Sequence, residues 1–233
     1  GLDDFHDQLD YLQKHYEIGN LDEALERREE AGRPRVVLTF DDGECGLYQH
    51  LLPIVEEKKI PVTVYVATRQ IETGEPYWFD RGMNATQAEG QAEIVIQLTG
   101  KTRWRIGPST GTERWNQISA LLEAIKTVPE EERDQLAESI QAQAKPGENG
   151  FTPLQPMSLA QLRSLASHPL VTIGAHSHGH ELLDQIPLDS AVRSVKRSKE
   201  LLEKWSEAPV PHFAYPNGNY SAEIMAEVAS LGF

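Results

Sequence analysis

Cysteine is almost missing from this chain: Cys45 stands alone. One thiol cannot close an internal disulfide, so the fold is expected to hold without an oxidising compartment. Long apolar runs are missing too. The longest, Val36–Leu38 and Val62–Ala67, are of strand length, far short of the roughly 20 residues that span a bilayer as a helix. Positive charge is scarce, with 22 Lys and Arg against 36 Asp and Glu and a formal net charge of −14. Nucleic-acid binders use Lys and Arg to displace counterions from phosphates, and anionic membrane surfaces make a similar demand. Neither partner is expected. The start, Gly1-Leu2-Asp3-Asp4, has no basic or apolar segment of a leader peptide. No internal repeat or low-complexity tract is present.

What is there suits an ordinary folded chain. It has 233 residues, of which 39% are hydrophobic, enough for one large domain with a substantial core. The first 31 residues read as helical, with Leu9, Leu12 and Tyr16 at helix spacing and Asn20 as an N-cap for Leu21–Glu30. Arg35–Phe40 reads as a buried strand that breaks at Asp-Asp-Gly, Leu47–Lys59 as a helix and Pro61–Ala67 as a second strand. Strand, helix and strand at this spacing form a parallel βαβ unit. The same rhythm returns in helix 158–167, strand Leu170–Ala175, helix Leu188–Trp205, strand Pro211–Tyr215 and helix Ser221–Leu231. Repeated βα units with polar motifs at strand C-terminal ends predict a (β/α) barrel-like architecture.

Between these blocks, residues from about 80 to 156 read as an insertion on a single domain spanning 1–233. It has helices near Trp115–Lys126 and Glu130–Ala144, Pro129 in a first helical turn, a candidate strand at Glu93–Leu98 and a loop at Lys145–Pro156.

Two motifs carry the chemistry. Thr39-Phe40-Asp41-Asp42-Gly43 and His176-Ser177-His178-Gly179-His180 each follow a strand and lie far apart in the chain. Two histidines four residues apart can turn both imidazoles to one ion, and neutral imidazole suits zinc and its neighbours. Two His and one carboxylate leave a tetrahedral ion one position for water, as in a catalytic site. Adjacent aspartates then offer one carboxylate to the metal and one, as general base, to the water. Each motif alone has a plainer reading: adjacent aspartates often form turns, and a His-x-x-x-His loop often decorates a surface. Their joint placement on two strand ends is what points to a site. Tyr77-Trp78-Phe79 reads either as a sugar-stacking platform or as a core anchor, and Cys45 as packing.

The two motifs together resemble those of the polysaccharide deacetylase family (NodB-homology domain, carbohydrate esterase family 4). Phe213-Ala214-Tyr215-Pro216-Asn217-Gly218 is similar to a variant of the family's third motif. The resemblance runs from about Leu9 to Phe233 and is thin over 80–155. It implies an α/β fold, a distorted (β/α) barrel, incomplete at its C-terminal end. It implies Asp41 as general base, and Asp42, His176 and His180 as ligands of a divalent ion, Zn2+ first and Co2+ or Ni2+ as alternatives. Ser177 would brace the histidine loop, and the Asn217 backbone N–H would hold the developing oxyanion. Tyr215, Pro216 and Trp78 are candidate substrate contacts. The implied reaction is hydrolysis of acetyl groups, N-acetyl ahead of O-acetyl, on an acetylated glycan, with an extracytoplasmic or cell-envelope location.

Two departures stand against that pattern. Ala214 occupies the place of an arginine that orients the base in many members, and no Leu-x-His supplies the family's general acid. His178 and His212 are candidates for the acid by location only. The alternatives these departures leave open are a non-catalytic glycan-binding relative and an amide hydrolase for a small non-sugar substrate. Oligomeric state is not legible.

Overall fold

The computed structural model describes residues 1–26, 32–87, 93–97, 103–108, 111–126, 128, 130–143 and 153–233. They fall into two compact units, one made of Gly1–Gly74 with Pro156–Phe233, the other of Glu75–Gln155. The expected end of the second N-terminal helix at Glu30, the Pro129 first turn, Leu98 and Ala144 at element ends, and most of the Lys145–Pro156 loop lie outside the described residues.

The first unit opens with helix α1 (Leu2–His15), strand β1 (Glu17–Ile18) and helix α2 (Leu21–Glu26). Asn20 caps α2 as expected: its Oδ1 accepts the Glu23 N–H at 2.8 Å. The predicted strand 35–40 is two short strands, β2 (Arg35–Val36) and β3 (Leu38–Phe40). β2 pairs in parallel with β1, a short strand inside a stretch that the periodicity assigns to helix. The predicted helix 47–59 begins with a π-helical turn, Leu47–Leu51, and continues as α3 (Leu52–Lys58). Strand β4 (Val62–Val66) and helix α4 (Thr68–Thr73) follow.

The second unit holds α5 (Trp78–Gln87), β5 (Ile94–Gln97), β6 (Arg103–Ile106), α6 (Gly111–Lys126) and α7 (Glu130–Gln143). β5 and β6 are an antiparallel pair. Ile94, Ile96 and Ile106 from this pair join Ile118, Leu121 and Ile125 of α6 and Ile140 of α7 in a core of the unit's own. The buried Arg114 guanidinium donates to the Thr86 carbonyl at 2.6 and 2.9 Å and to the Gly107 carbonyl at 2.9 Å, so a cation takes up one carbonyl of the last turn of α5 and one just past β6.

The first unit resumes with α8 (Leu159–Ala166), β7 (Val171–Ala175), α9 (Leu188–Ser206) and α10 (Ala222–Ser230). Ser158 and Gln161 form a capping box on α8, and the Ser221 hydroxyl caps α10. The central sheet is parallel, in the order β3-β4-β7. The predicted strand 211–215 contributes only an isolated parallel bridge, Phe213 with Ala175. The Ala175 N–H donates to His212 O at 2.8 Å and the Ala214 N–H to Ala175 O at 2.9 Å, which extends the arc of strands by one position.

The alternation of β4 sets the two faces of this arc. Val62, Val64 and Val66 point into a core shared with Leu51, Ile54 and Val55 beneath α3, Leu162 and Leu165 of α8, and Leu202 and Trp205 of α9. Thr63 and Tyr65 point to the opposite face and are buried as well. The register pairs Tyr65 with Gly174, and a Cβ on Gly174 would lie 2.4 Å from Tyr65 Cδ1 and 3.2 Å from the His212 carbonyl oxygen. The glycine is there because the tyrosine ring lies across it. Gly174→Ala is expected to destabilise the protein by about 1–3 kcal/mol, an overpacking cost, read as a lower urea midpoint. An unchanged midpoint would show that the ring can move aside.

Candidate functional site

Asp42 sits one residue past the strand-end aspartate of β3, in the left-handed region at φ 73, and Gly43 follows at φ 80. A Cβ on Gly43 would meet Val66 Cγ1 at 2.9 Å, so the turn that aims Asp42 needs both the backbone freedom and the bareness of glycine. The turn is closed by the Gly43 N–H donating to Asp41 O at 2.9 Å and tied down from outside by the Met157 N–H donating to Gly43 O at 3.0 Å.

His176 leaves the end of β7, where its N–H donates to Val66 O at 3.1 Å. The chain then turns through Ser177 at φ 61 and His180 at φ 57. Left-handed non-glycine residues cost of order 1–3 kcal/mol each and persist where surroundings over-determine them. Here the surroundings are two helices. The first N–H groups of α4, Thr68 and Arg69, donate to the carbonyls of Ser177 (3.4 Å) and His178 (2.8 Å). From the other side, Ser194 of α9 accepts the His178 N–H at 2.9 Å and Glu181 accepts the Gly179 N–H at 3.1 Å.

The two motifs meet. Asp42 Oδ1 lies 3.5 Å from His176 Nε2 and 3.3 Å from His180 Nε2. The rings stand edge to face with centroids 4.9 Å apart, and the three donor atoms all fall within 4.8 Å of one another. Donors about 2.0–2.1 Å from a tetrahedral ion lie roughly 3.3–3.4 Å apart, so the spacing from the carboxylate to each imidazole fits one divalent cation. His176 Nδ1 is 2.9 Å from the Ala214 carbonyl oxygen. A carbonyl only accepts, so Nδ1 carries the proton and the Nε2 lone pair faces Asp42, the usual outer-shell arrangement of a metal-binding histidine.

Electrostatics agree with that assignment. Burial, reinforced by the neighbouring His180, lowers the His176 imidazole below its ordinary value, against the opposing pull of Asp42 and Asp41. A neutral ring is the form that binds a metal. Burial pushes the Asp42 carboxyl up, but the hydrogen bond with His180 and the charges of His180 and His176 outweigh it and hold the group below the usual carboxylate range.

The other expected site residues divide. Asp41 is solvent-exposed beside the cluster, and its charge acts on His176 and on the Tyr65 phenol, which burial and then Asp41 push up. Ser177 is fully buried. It braces the loop through its carbonyl, whereas its hydroxyl has no hydrogen-bond partner among the described residues. Asn217 stands exposed at φ 58 in the 3-10 turn Pro216–Gly218, and its Nδ2 donates to Asn219 Oδ1 at 2.7 Å. Pro216 is buried beneath that turn. Tyr215 is half-exposed, packed edge-on to Phe213 at 5.0 Å and 5.5 Å from the exposed Tyr220. Trp78 packs against the core of the second unit, and its neighbour Tyr77 is buried and stacked on Phe79 at 4.9 Å.

Both histidines named as candidate acids are engaged by other side chains. His178 Nδ1 shares a 2.8 Å hydrogen bond with Thr68 Oγ1 and its Nε2 lies 3.7 Å from Glu72. His212 Nε2 lies 2.8 Å from Asp22 Oδ1, close enough for an ion pair but without the alignment of a hydrogen bond. Residues that motif reading passes over are Ser194, Glu181, Thr68 and Tyr65. Their one sequence signal is a polar group on a face otherwise apolar, as Ser194 is on the buried side of α9.

Comparison with known proteins places this geometry. The sequence profile of the polysaccharide deacetylase family matches residues 28–233. No curated protein sequence matches the chain. Among solved structures, the Streptococcus pyogenes deacetylase PplD in complex with acetate is similar at TM-score 0.60 and 17% identity, over 100% of this chain and 70% of its own. IcaB from Ammonifex degensii is similar at TM-score 0.56 and 17% identity, over 100% of this chain and 73% of its own. A de-N-acetylase from Aggregatibacter actinomycetemcomitans is similar at TM-score 0.56 and 12% identity, over 100% of this chain and 75% of its own. These likenesses agree with the parallel arc of strands as part of a distorted (β/α) barrel. With a profile match over most of its length and the motif residues gathered at two strand ends, the chain belongs to the polysaccharide deacetylase family, enzymes that act on acetyl groups.

Proposed function

We propose that this protein is a metal-dependent hydrolase that removes N-acetyl groups from a glycan. The observation that carries the reading is the carboxylate oxygen of Asp42 held 3.3 and 3.5 Å from two imidazole nitrogens. Zn2+ is the ion that this donor set suits best, with Co2+ or Ni2+ as substitutes. When bound, such an ion polarises a carbonyl oxygen and lowers the pKa of a water towards about 7.

The chain's own residues do the rest. Asp41, beside the cluster and open to solvent, takes the proton from the attacking water. The Asn217 backbone N–H, on its tight turn, donates to the oxygen that becomes negative as the acetyl carbonyl turns tetrahedral. As the C–N bond breaks, the proton held on Asp41 passes to the departing nitrogen, and the products are acetate and a free amine. Tyr215 offers an aromatic face to a sugar ring, and Pro216 supports the turn that carries it. The name of the Aggregatibacter de-N-acetylase favours N-acetyl over O-acetyl groups. The family resemblance supports an extracytoplasmic or cell-envelope location for that work.

Two experiments test this reading. Asp42→Ala should lower Zn2+ affinity by more than about 100-fold, beyond the 10–100-fold typical of outer-shell changes, in a competition titration with a chromophoric chelator. Unchanged affinity would remove Asp42 from the ligand set. Asp41→Asn should abolish acetate release from N-acetylated oligosaccharides while Zn2+ affinity stays at the wild-type value. Retained turnover would contradict the assigned base, and sugar binding without acetate release by the wild-type protein would favour a non-catalytic relative.

A further inference from the structure

Two buried groups outside the motif residues hold the loop that presents both imidazoles. Glu181, directly after His180, is 7% exposed, and Ser194 of α9 is 8% exposed. The Ser194 hydroxyl donates to Glu181 Oε2 at 2.8 Å. That same carboxylate oxygen accepts the Gly179 N–H at 3.1 Å, and Ser194 Oγ accepts the His178 N–H at 2.9 Å. The three bonds close a ring: loop backbone to serine, serine to carboxylate, carboxylate to loop backbone.

The direction of the serine hydroxyl matters. Because its proton goes to Glu181, an oxygen lone pair is left for the His178 N–H, so the carboxylate determines that the serine serves the loop as an acceptor. No lysine or arginine among the described residues forms an ion pair with Glu181. A buried carboxylate needs partners to offset its lost hydration, and for Glu181 these are the loop peptide and the α9 hydroxyl. The pair also sits opposite the α4 contacts, so the carbonyls of Ser177 and His178 and the N–H groups of His178 and Gly179 are fixed from two sides. The left-handed turns at Ser177 and His180 flank those peptides and bring both rings to Asp42.

We infer that Glu181 and Ser194 act as a single clamp that sets the divalent-metal affinity of the His176–His180 pair. They are positioning residues: neither touches the proposed ion. The clamp rests on the proposed role of Asp42, His176 and His180 as metal ligands. Ser198, one turn along the same helix, supplies a matched control: it is fully buried, and its hydroxyl has no hydrogen-bond partner among the described residues.

The test is Zn2+ affinity of the whole chain by competition titration, with the visible spectrum of the Co2+ form as a readout of ligand geometry. Ser194→Ala and Glu181→Gln are each expected to weaken Zn2+ binding about 10- to 100-fold and to alter the Co2+ spectrum. The double variant should lose little more than the worse single one, because the two groups act as a unit. Ser198→Ala should bind as the wild type does. Should Glu181→Gln fail to fold, Ser194→Ala measured against Ser198→Ala decides. Affinities within twofold of wild type, an equal loss in Ser198→Ala, or additive losses in the double variant would overturn the clamp while leaving the metal reading intact. A wild-type protein that binds neither Zn2+ nor Co2+ would overturn both.

Discussion

Everything at the site depends on the backbone pairing of three parallel strands. β4 lies between β3 and β7, and its last carbonyl, Val66 O, accepts the His176 N–H. That one register brings two strand ends together, so side chains distant in sequence share a space of a few ångströms. Slipping a strand by one residue would turn its side chains to the other face. The buried valines of β4 on one side and the Tyr65 ring over Gly174 on the other resist such a slip. Packing on both faces of the sheet thus fixes where Asp42 meets the imidazoles.

The same constraint explains the backbone cost. Strands end in an extended direction, and the ligands have to turn back towards each other. Asp42, Ser177 and His180 all do so at positive φ without being glycine. The strain is tolerated because the loops are held on several sides: at Gly43 by Met157, and at the histidine loop by α4, Ser194 and Glu181. A loose loop would relax to ordinary angles and part the donors.

Much of this was legible from residues alone. Asp-Asp-Gly and His-x-x-x-His after strands marked the two aspartates and the two histidines, and the family resemblance singled out Asp42 as the donor that the structure gathers with the imidazoles. Asn20 marked a helix start through its capping chemistry, and the structure shows serine caps at Ser158 and Ser221. What could not be read is what depends on contacts between distant segments. The demand for Gly174 comes from a tyrosine on another strand. The serine that holds the histidine loop lies on the following helix, 16 residues past His178, and only the packing of that helix turns its hydroxyl to the loop. The segment 211–215 has strand composition, yet only Phe213 pairs, because the chain passes Ala175 at a single bridge. Ala214 read as the loss of an arginine. In the structure its carbonyl orients His176, a backbone function to which the side-chain identity is blind. The insertion reads from the sequence as an elaboration of one domain, but its isoleucines alternate on β5 and recur along α6, enough for a small core of its own.

The central claim is that one divalent ion is held by Asp42, His176 and His180. Anomalous diffraction from Zn2+-loaded crystals, recorded on both sides of the zinc absorption edge, tests it most directly. The account predicts a single strong peak about 2.0–2.2 Å from a carboxylate oxygen of Asp42 and from the Nε2 atoms of His176 and His180. Zinc bound elsewhere, or a fully loaded crystal with no peak between those three side chains, would contradict it.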